Sequence, residues 1–428
     1  MNRFARAFSF ERNLGRLVHP PEARFRSVDG FRALAVLWVI LMHCLWFQFP
    51  FAKPGDFAAF FERQPLWIIG GPYGVDVFFV ISGFLIGHIL MEEFERRGKI
   101  SLRRFYSRRF IRLMPAYIVA MGIYAVTLRQ NRDMLWTNLI YINNFVDGVK
   151  QAMPWTWSLA IEEQFYFTFP FFLIFVFYVV PRTRRTMLLW VVVSISLLIR
   201  AFVILRHGLH LPVPWSAGVS DANFLDWAEA LYIKPYSRFG SLALGVLAAH
   251  FVLNGSARNF FQSRPRWAMA GLGCSMLTIV SIVIAPIQIA GPRWNDVASL
   301  LVLSSHCTLF GAATAFLMLY CLYPVSGPGR LLEAFLSWAP LRSLAQLAYS
   351  AYLLHPIVLT MLYSSIASNL RSYPMVVYYI AGPLLSFAAA TALYLLVERP
   401  FMNLRDDPAT TTEGLILRRF SLATRANH

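Results

Sequence analysis

Apolar residues in this chain come in long blocks, unlike the alternation of a half-buried strand or the narrow stripe of a surface helix. Ten blocks approach the roughly 20 residues a helix needs to cross the hydrocarbon of a bilayer: 31–49, 74–91, 110–128, 157–180, 187–204, 238–253, 267–287, 297–323, 344–366 and 375–397. The sixth is short and the eighth long. The pattern predicts an all-α integral membrane protein, a bundle of about ten transmembrane helices. Arg3, Arg6, Arg12, Arg16, Arg24 and Arg26 precede the first block, as in a signal sequence. That block is long for the apolar core of a signal and lacks a small-x-small cleavage site, so it is expected to stay as the first span.

An even number of spans puts both termini on one side of the membrane, and 26 of the 39 Lys and Arg fall in segments on that side. Both termini are therefore expected in the cytoplasm. The chain divides into a basic N-terminal segment (1–30), a membrane domain (31–398) and a C-terminal tail (399–428).

Composition agrees with a chain solvated by lipid. Of 428 residues, 57% are hydrophobic and 14% charged, against about 45–50% and about 25% in soluble domains. A mean hydropathy of +0.52 also excludes a disordered chain, a collagen and a coiled coil. The net charge of +17 is explained by topology and attraction to anionic lipid, so no nucleic-acid partner is expected. Cys44, Cys274, Cys307 and Cys321 lie in apolar runs without Cys-x-x-Cys spacing, and no His-x-x-x-His pair occurs. Neither a disulfide framework nor a metal site is indicated.

An ionisable side chain inside a span costs about 2.5–3.5 kcal/mol on insertion scales, so each exception needs a partner or a function. In the first span Arg32 and His43 stand eleven residues apart, about 16 Å along a straight helix and within about 20° of one face. The second span carries Asp76 near one end and Ser82, Gly83 and Gly87 in the middle. Asp76 suits a helix start, and the small residues suit close packing or a substrate channel. Arg104, Arg108 and Arg112 recur at four-residue steps beside Arg103 and Arg109, with Phe105, Tyr106, Phe110 and Leu113 opposite. This describes a helix lying at the inner interface, gripping either lipid headgroups or a polyanion. Trp155 and Trp157 open the fourth span, with Glu162 and Glu163 one to two turns inside. Tyr349, Tyr352 and His355 share the ninth, where Pro356 is expected to kink the helix.

These same blocks resemble the acyltransferase-3 family of multi-pass membrane enzymes. Arg32 and His43, with ten residues between them after VDGFR, fit that family's first-span pattern. GVDVFFVISGFLI is similar to its second span, FYSRRFIRLMPAY to its Arg-rich approach to the third, and WTWSLAIEEQFY to its most recognisable motif. AYSAYLLHP and LYLLVERPF resemble its last two spans, so the likeness runs from about 27 to 404. The segment 205–237, with Trp215, Asp221, Asp226, Trp227 and Glu229, matches no block and is where acceptor specificity is expected. Some members of the family continue into a periplasmic hydrolase-like domain. Here about 30 residues follow Glu398, which implies action alone or with a separate periplasmic partner protein.

The resemblance implies an O-acyltransferase of the bacterial cytoplasmic (inner) membrane with no tightly bound cofactor. It would move an acyl group, acetyl foremost, from cytoplasmic acyl-CoA to a hydroxyl of a cell-surface glycan or glycolipid. A small secreted acceptor such as a macrolide is the runner-up, and a transporter or flippase is the reading from another class. Acyl transfer needs a base for the attacking hydroxyl, and His43 is the candidate, because imidazole titrates near neutral pH. Glu162 or Glu163 is expected to orient it, as in a catalytic triad. Arg103, Arg104, Arg108, Arg109 and Arg112 are expected to hold the CoA phosphates, with Arg32 at the pantetheine or pyrophosphate. Asp76, Ser82, Trp157, Tyr352 and His355 are expected to shape the channel. The acyl group would pass directly to the acceptor or by way of an acyl-imidazole on His43.

Overall fold

The computed structural model describes residues 3–22, 24–47, 61–213, 215, 221–285, 287, 291–366 and 377–406. The expected tail beyond Asp406, the end of the first block and the start of the tenth lie outside the described residues. Among these residues there is no strand, and ten helices are long and apolar enough to cross a membrane. They are α1 (Arg26–Trp46), α2 (Tyr73–Arg97), α3 (Leu102–Thr127), α4 (Trp157–Val179), α5 (Arg185–His207), α6 (Pro235–Leu253), α7 (Pro265–Ile284), α8 (Asp296–Leu322), α9 (Ala339–Ile366) and α10 (Tyr379–Arg405).

Local signals set their ends. Gly98 and Gly208 take left-handed φ of 66° and 63° and stop α2 and α5. Pro235 and Pro265 open α6 and α7 at positions where a missing N–H costs nothing. The Asn295 side chain caps α8 by accepting from the Ala298 N–H at 2.7 Å.

Two helices depart from their sequence description. The Arg-rich stretch does not form a separate interfacial helix, because α3 runs unbroken from Leu102 through Pro115 to Thr127. α9 carries Pro356 within one continuous helix. α10 is interrupted by a π turn at Tyr394–Glu398, a distortion that often marks functional positions. The helix then goes on into Arg399–Asp406 and meets the N-terminal segment, where Asn403 donates to the Ala7 carbonyl and accepts from Arg16 at 2.6 Å. The two described ends of the chain thus pack together at one end of the bundle.

The tightest packing joins α2 to α6. A methyl group at Gly83 would strike the Leu242 carbonyl, and one at Gly245 would strike the Val80 carbonyl, so both helices approach backbone to backbone. An ion pair locks the same contact. Asp76 is 1% exposed and Arg238 3% exposed; they meet at 3.1 Å. Ser241 donates to the second carboxylate oxygen at 2.9 Å, while Arg238 also reaches Cys307 Sγ on α8 at 2.9 Å. The guanidinium lies over the rings of Tyr232 (5.1 Å), Trp157 (5.5 Å) and Phe79 (5.7 Å). Arg200, also buried, donates from α5 to the carbonyls of Ser237, Leu303 and Ser304 and ties it to α6 and α8. Asp76 stands in the first turn of α2, as expected, and there pairs with Arg238 to hold α2 against α6.

Two stability measurements follow from this contact. Asp76→Asn leaves a buried guanidinium uncompensated and is expected to cost about 3–5 kcal/mol, part of which returns when Arg238→Met is added. Thermal melting of the detergent-solubilised protein reads this, and a single variant as stable as the unsubstituted protein would contradict it. Gly245→Val is expected to cost about 1–3 kcal/mol or more by overpacking in the same assay.

Candidate functional site

Glu162 sits on α4 one turn inside the bundle, level with Ser82 on α2. Ser82 Oγ donates to Glu162 Oε1 at 3.0 Å, and the Tyr166 hydroxyl donates to Oε2 at 3.1 Å. Each of its oxygens thus accepts one hydrogen bond. It lies on the wall of a cavity of about 300 Å³ that Glu163 also lines. Five arginines face the same space: Arg32, Arg109, Arg112, Arg342 and Arg399. Arg109 is held over the Tyr166 ring at 4.2 Å, while the π turn at Tyr394–Glu398 brings Tyr394, Glu398 and Arg399 onto the wall. Carboxyls are present in equal number (Glu22, Asp29, Glu162, Glu163, Glu398). Several are occupied: Asp29 by Arg32 at 3.5 Å and Glu398 by Ser350 at 2.6 Å. By contrast, the buried Nε–H groups of Arg112, Arg342 and Arg399 have no hydrogen-bond partner. Five arginines around one space suit an anionic ligand.

His43 lies elsewhere. It lines a second cavity, of about 290 Å³, whose other walls are largely aromatic. Its Nδ1 is 2.7 Å from Nε2 of His355, with the rings stacked at 4.9 Å. Nδ1 of His355 lies 3.0 Å from the Ala351 carbonyl. A carbonyl only accepts, so His355 Nδ1 carries the proton and its Nε2 is the acceptor. His43 must then donate from Nδ1, which leaves the lone pair of a neutral His43 on Nε2. One backbone carbonyl fixes the tautomer of both rings.

The two cavities meet back to back at Val75 and Tyr352, the residues that line both. Tyr352 is pinned there. Its hydroxyl donates to the Trp155 carbonyl at 2.8 Å, so Ser158 Oγ, 2.6 Å away, donates to the tyrosine oxygen.

The placement differs from the sequence expectation in three respects. The hydrogen-bond partner of His43 is His355 in place of Glu162 or Glu163, because Ser82 and Tyr166 hold Glu162 in the other cavity. The groups expected to act together are spread over two cavities that share Val75 and Tyr352. Arg103, Arg104 and Arg108 are exposed and off the wall. At 100° per residue the face of α3 that turns inward carries Phe105, Arg109, Arg112 and Ala116, leaving the other arginines outside. Trp157 lines the second cavity and also backs Arg238. Arg342, Arg399, Arg200 and Arg238 escaped the sequence reading. Arg200 and Arg238 lay inside predicted spans, and Arg399 follows Glu398 in the terminal block, so these three left a signal; Arg342 left none.

Comparison with known proteins bears on what such cavities serve. Residues 25–395 match the acyltransferase domain family. The O-acetyltransferase OatA of Staphylococcus aureus is 26% identical over 395 residues, covering 87% of this chain and 56% of that protein. The peptidoglycan O-acetyltransferase OatA of Listeria monocytogenes is 36% identical over 193 residues, 40% of this chain and 27% of that protein. The chain thus spans little more than half the length of the staphylococcal relative. No solved structure matches it. With the family's domain matching from the first span into the last and ten helices of membrane-crossing length, this chain belongs to the acyltransferase family of multi-pass membrane proteins.

Proposed function

We propose that the protein transfers an acyl group, acetyl foremost, from acyl-CoA bound in the arginine-lined cavity to a hydroxyl of a glycan or glycolipid in the His43 cavity. The observation that carries this reading is the back-to-back arrangement. One cavity is lined by five arginines and the other by a histidine with a free lone pair, with one tyrosine shared between them. The arginine end carries the excess of basic residues and is assigned to the cytoplasm, where acyl-CoA is made. On this reading the protein works in a bacterial cytoplasmic membrane, in keeping with its bacterial relatives.

Arg112, Arg342 and Arg399 hold the phosphates of the donor, as guanidinium forks do. Arg32 and Arg109 line the way inward. The slender pantetheine arm carries the thioester along Ser82 and Glu162 toward Tyr352. His43 Nε2 removes the proton from the acceptor hydroxyl as its oxygen attacks the thioester carbonyl. The C–S bond then breaks, and the departing thiolate takes the proton from the imidazolium. His355 acts as a positioning residue. By accepting from His43 Nδ1–H it keeps Nε2 aimed at the acceptor, the role a carboxylate plays in the familiar triad.

His43→Ala is expected to lower transfer of label from radioactive acetyl-CoA by about 10²–10⁴-fold, the usual worth of a general base, with acetyl-CoA affinity unchanged in calorimetry. Full activity in that variant removes His43 from the mechanism. Gln in place of Arg112, Arg342 or Arg399 is expected to weaken acetyl-CoA binding by about 10–100-fold each, as for loss of a charge-assisted hydrogen bond. The same change at Arg103, Arg104 or Arg108 leaves it within about twofold, since exposed charges are well screened.

A further inference from the structure

The basic N-terminal segment has no task in the mechanism above. Its main element is a short helix, Phe10–Val18, which Ser9 opens by accepting the Arg12 N–H at 3.4 Å. At 100° per residue this helix has three sides. Asn13 and Leu17 turn toward the bundle and are buried. Asn13 donates to the Ala7 carbonyl at 3.2 Å and accepts from Asn403 at 2.8 Å, while Gln346 on α9 donates to the Arg16 carbonyl at 3.2 Å. Glu11, Arg12 and Gly15 form a second side, which is exposed. Phe10, Leu14 and Val18 recur at four-residue steps and form a third that is apolar yet exposed as well, with Phe10 at 57% and Val18 at 54%.

What covers the apolar side follows from where it lies. Phe8, also exposed, packs edge-on against Phe401 at 6.2 Å, just beyond the π turn of α10. Along α10 itself Ile380, Leu384, Leu385 and Leu396 are exposed, as side chains of a span are where they meet lipid. Through Phe8 and Phe401 the apolar side of the helix adjoins that lipid-facing surface. Charge points the same way. Residues 1–22 carry Arg3, Arg6, Arg12 and Arg16 against Glu11 and Glu22, a positive excess suited to anionic headgroups. A helix with one apolar side and arginines beside it lies in the plane of the membrane interface. The same segment also reaches the arginine cavity. Pro20 and Pro21 follow the end of the helix, which neither can continue, and with Glu22 they line the cavity. There a terminal nitrogen of Arg342 donates to the carbonyls of Pro20, at 3.0 Å, and Pro21.

We infer that the N-terminal segment is an in-plane membrane anchor, seated among anionic phospholipids by Phe8, Phe10, Leu14 and Val18, and that this seating holds Pro20 and Pro21 where their carbonyls orient Arg342 on the cavity wall. Burial of the apolar side supplies most of the attachment, and the arginines add an attraction that depends on lipid charge. The anchor stands on the surface of the helix alone; its effect on the donor rests on the acyl-CoA reading above. Arg342 is a positioning target of the anchor, which itself touches no reacting atom.

The test uses the full chain in nanodiscs of mixed phosphatidylglycerol and phosphatidylcholine. Cys274→Ser removes the exposed native thiol, and a nitroxide is attached at Leu14→Cys or, as a control, at Arg12→Cys. The label at position 14 is expected to collide chiefly with oxygen, which concentrates in lipid, and the label at position 12 with a water-soluble nickel chelate. Equal access of the chelate to both labels overturns the anchor. In a second measurement Phe10→Gln, Leu14→Gln and Val18→Gln are combined, which keeps helix propensity and removes the apolar side. Acetyl-CoA affinity in calorimetry is expected to fall by about 3–10-fold, as for loss of one neutral hydrogen bond, with the thermal transition of the bundle retained as evidence of folding. Unchanged affinity in that variant, with the label at position 14 in lipid, overturns the effect on Arg342. Absence of acetyl-CoA binding to the unsubstituted protein sinks the donor assignment instead, and the label measurement still decides the anchor.

Discussion

Lipid gives a buried polar side chain no hydrogen-bond partner, so in this bundle one helix must supply the partner of another. Asp76 and Arg238 join α2 to α6, Arg200 draws α5 against α6 and α8, and Glu162 binds α4 to Ser82 on α2. His43 and His355 connect α1 to α9. Because these bonds cross between helices, they fix how far each helix rises past its neighbour and which face it turns inward. Apolar packing alone would leave both loosely specified, since lipid tails are as apolar as the side chains they compete with.

The same constraint makes each buried polar group accountable. Asp76, Arg200 and Glu162 are each bonded by a neighbouring helix. Buried polar atoms without a protein partner occur at both cavities, among them Arg112, Arg342 and Arg399 at one and Trp155 and Trp215 at the other, and also elsewhere in the bundle, as at His88, Ser196 and Thr314.

Tyr352 occupies the plane between those spaces. Its hydroxyl is held by the Trp155 carbonyl just before α4 and by Ser158 in the first turn of that helix. The same short stretch therefore positions the dividing tyrosine, contributes an indole to one cavity and, one turn later, Glu162 and Glu163 to the other. Chemistry drawn from two compartments can meet at such a wall while the compartments remain apart.

Ten apolar blocks were legible because the cost of exposing backbone to lipid leaves a direct trace in composition; the ten helices follow them to within a few residues at most ends. The isolated ionisable residues within those blocks were legible for the same reason, and Arg32, His43, Glu162 and His355 were found that way. Pairings were not. His43 could have met a glutamate as readily as His355 on sequence grounds, and Arg108 could have turned inward in place of Arg109. Those outcomes depend on the rotation and relative depth of helices, which the Gly83 and Gly245 contacts and the Asp76–Arg238 pair set from elsewhere in the chain. The sequence by itself determined that polar groups lie in the membrane and which ones; only the tertiary structure decided which of them meet, because partnership is a property of two helices packed together and neither carries it alone.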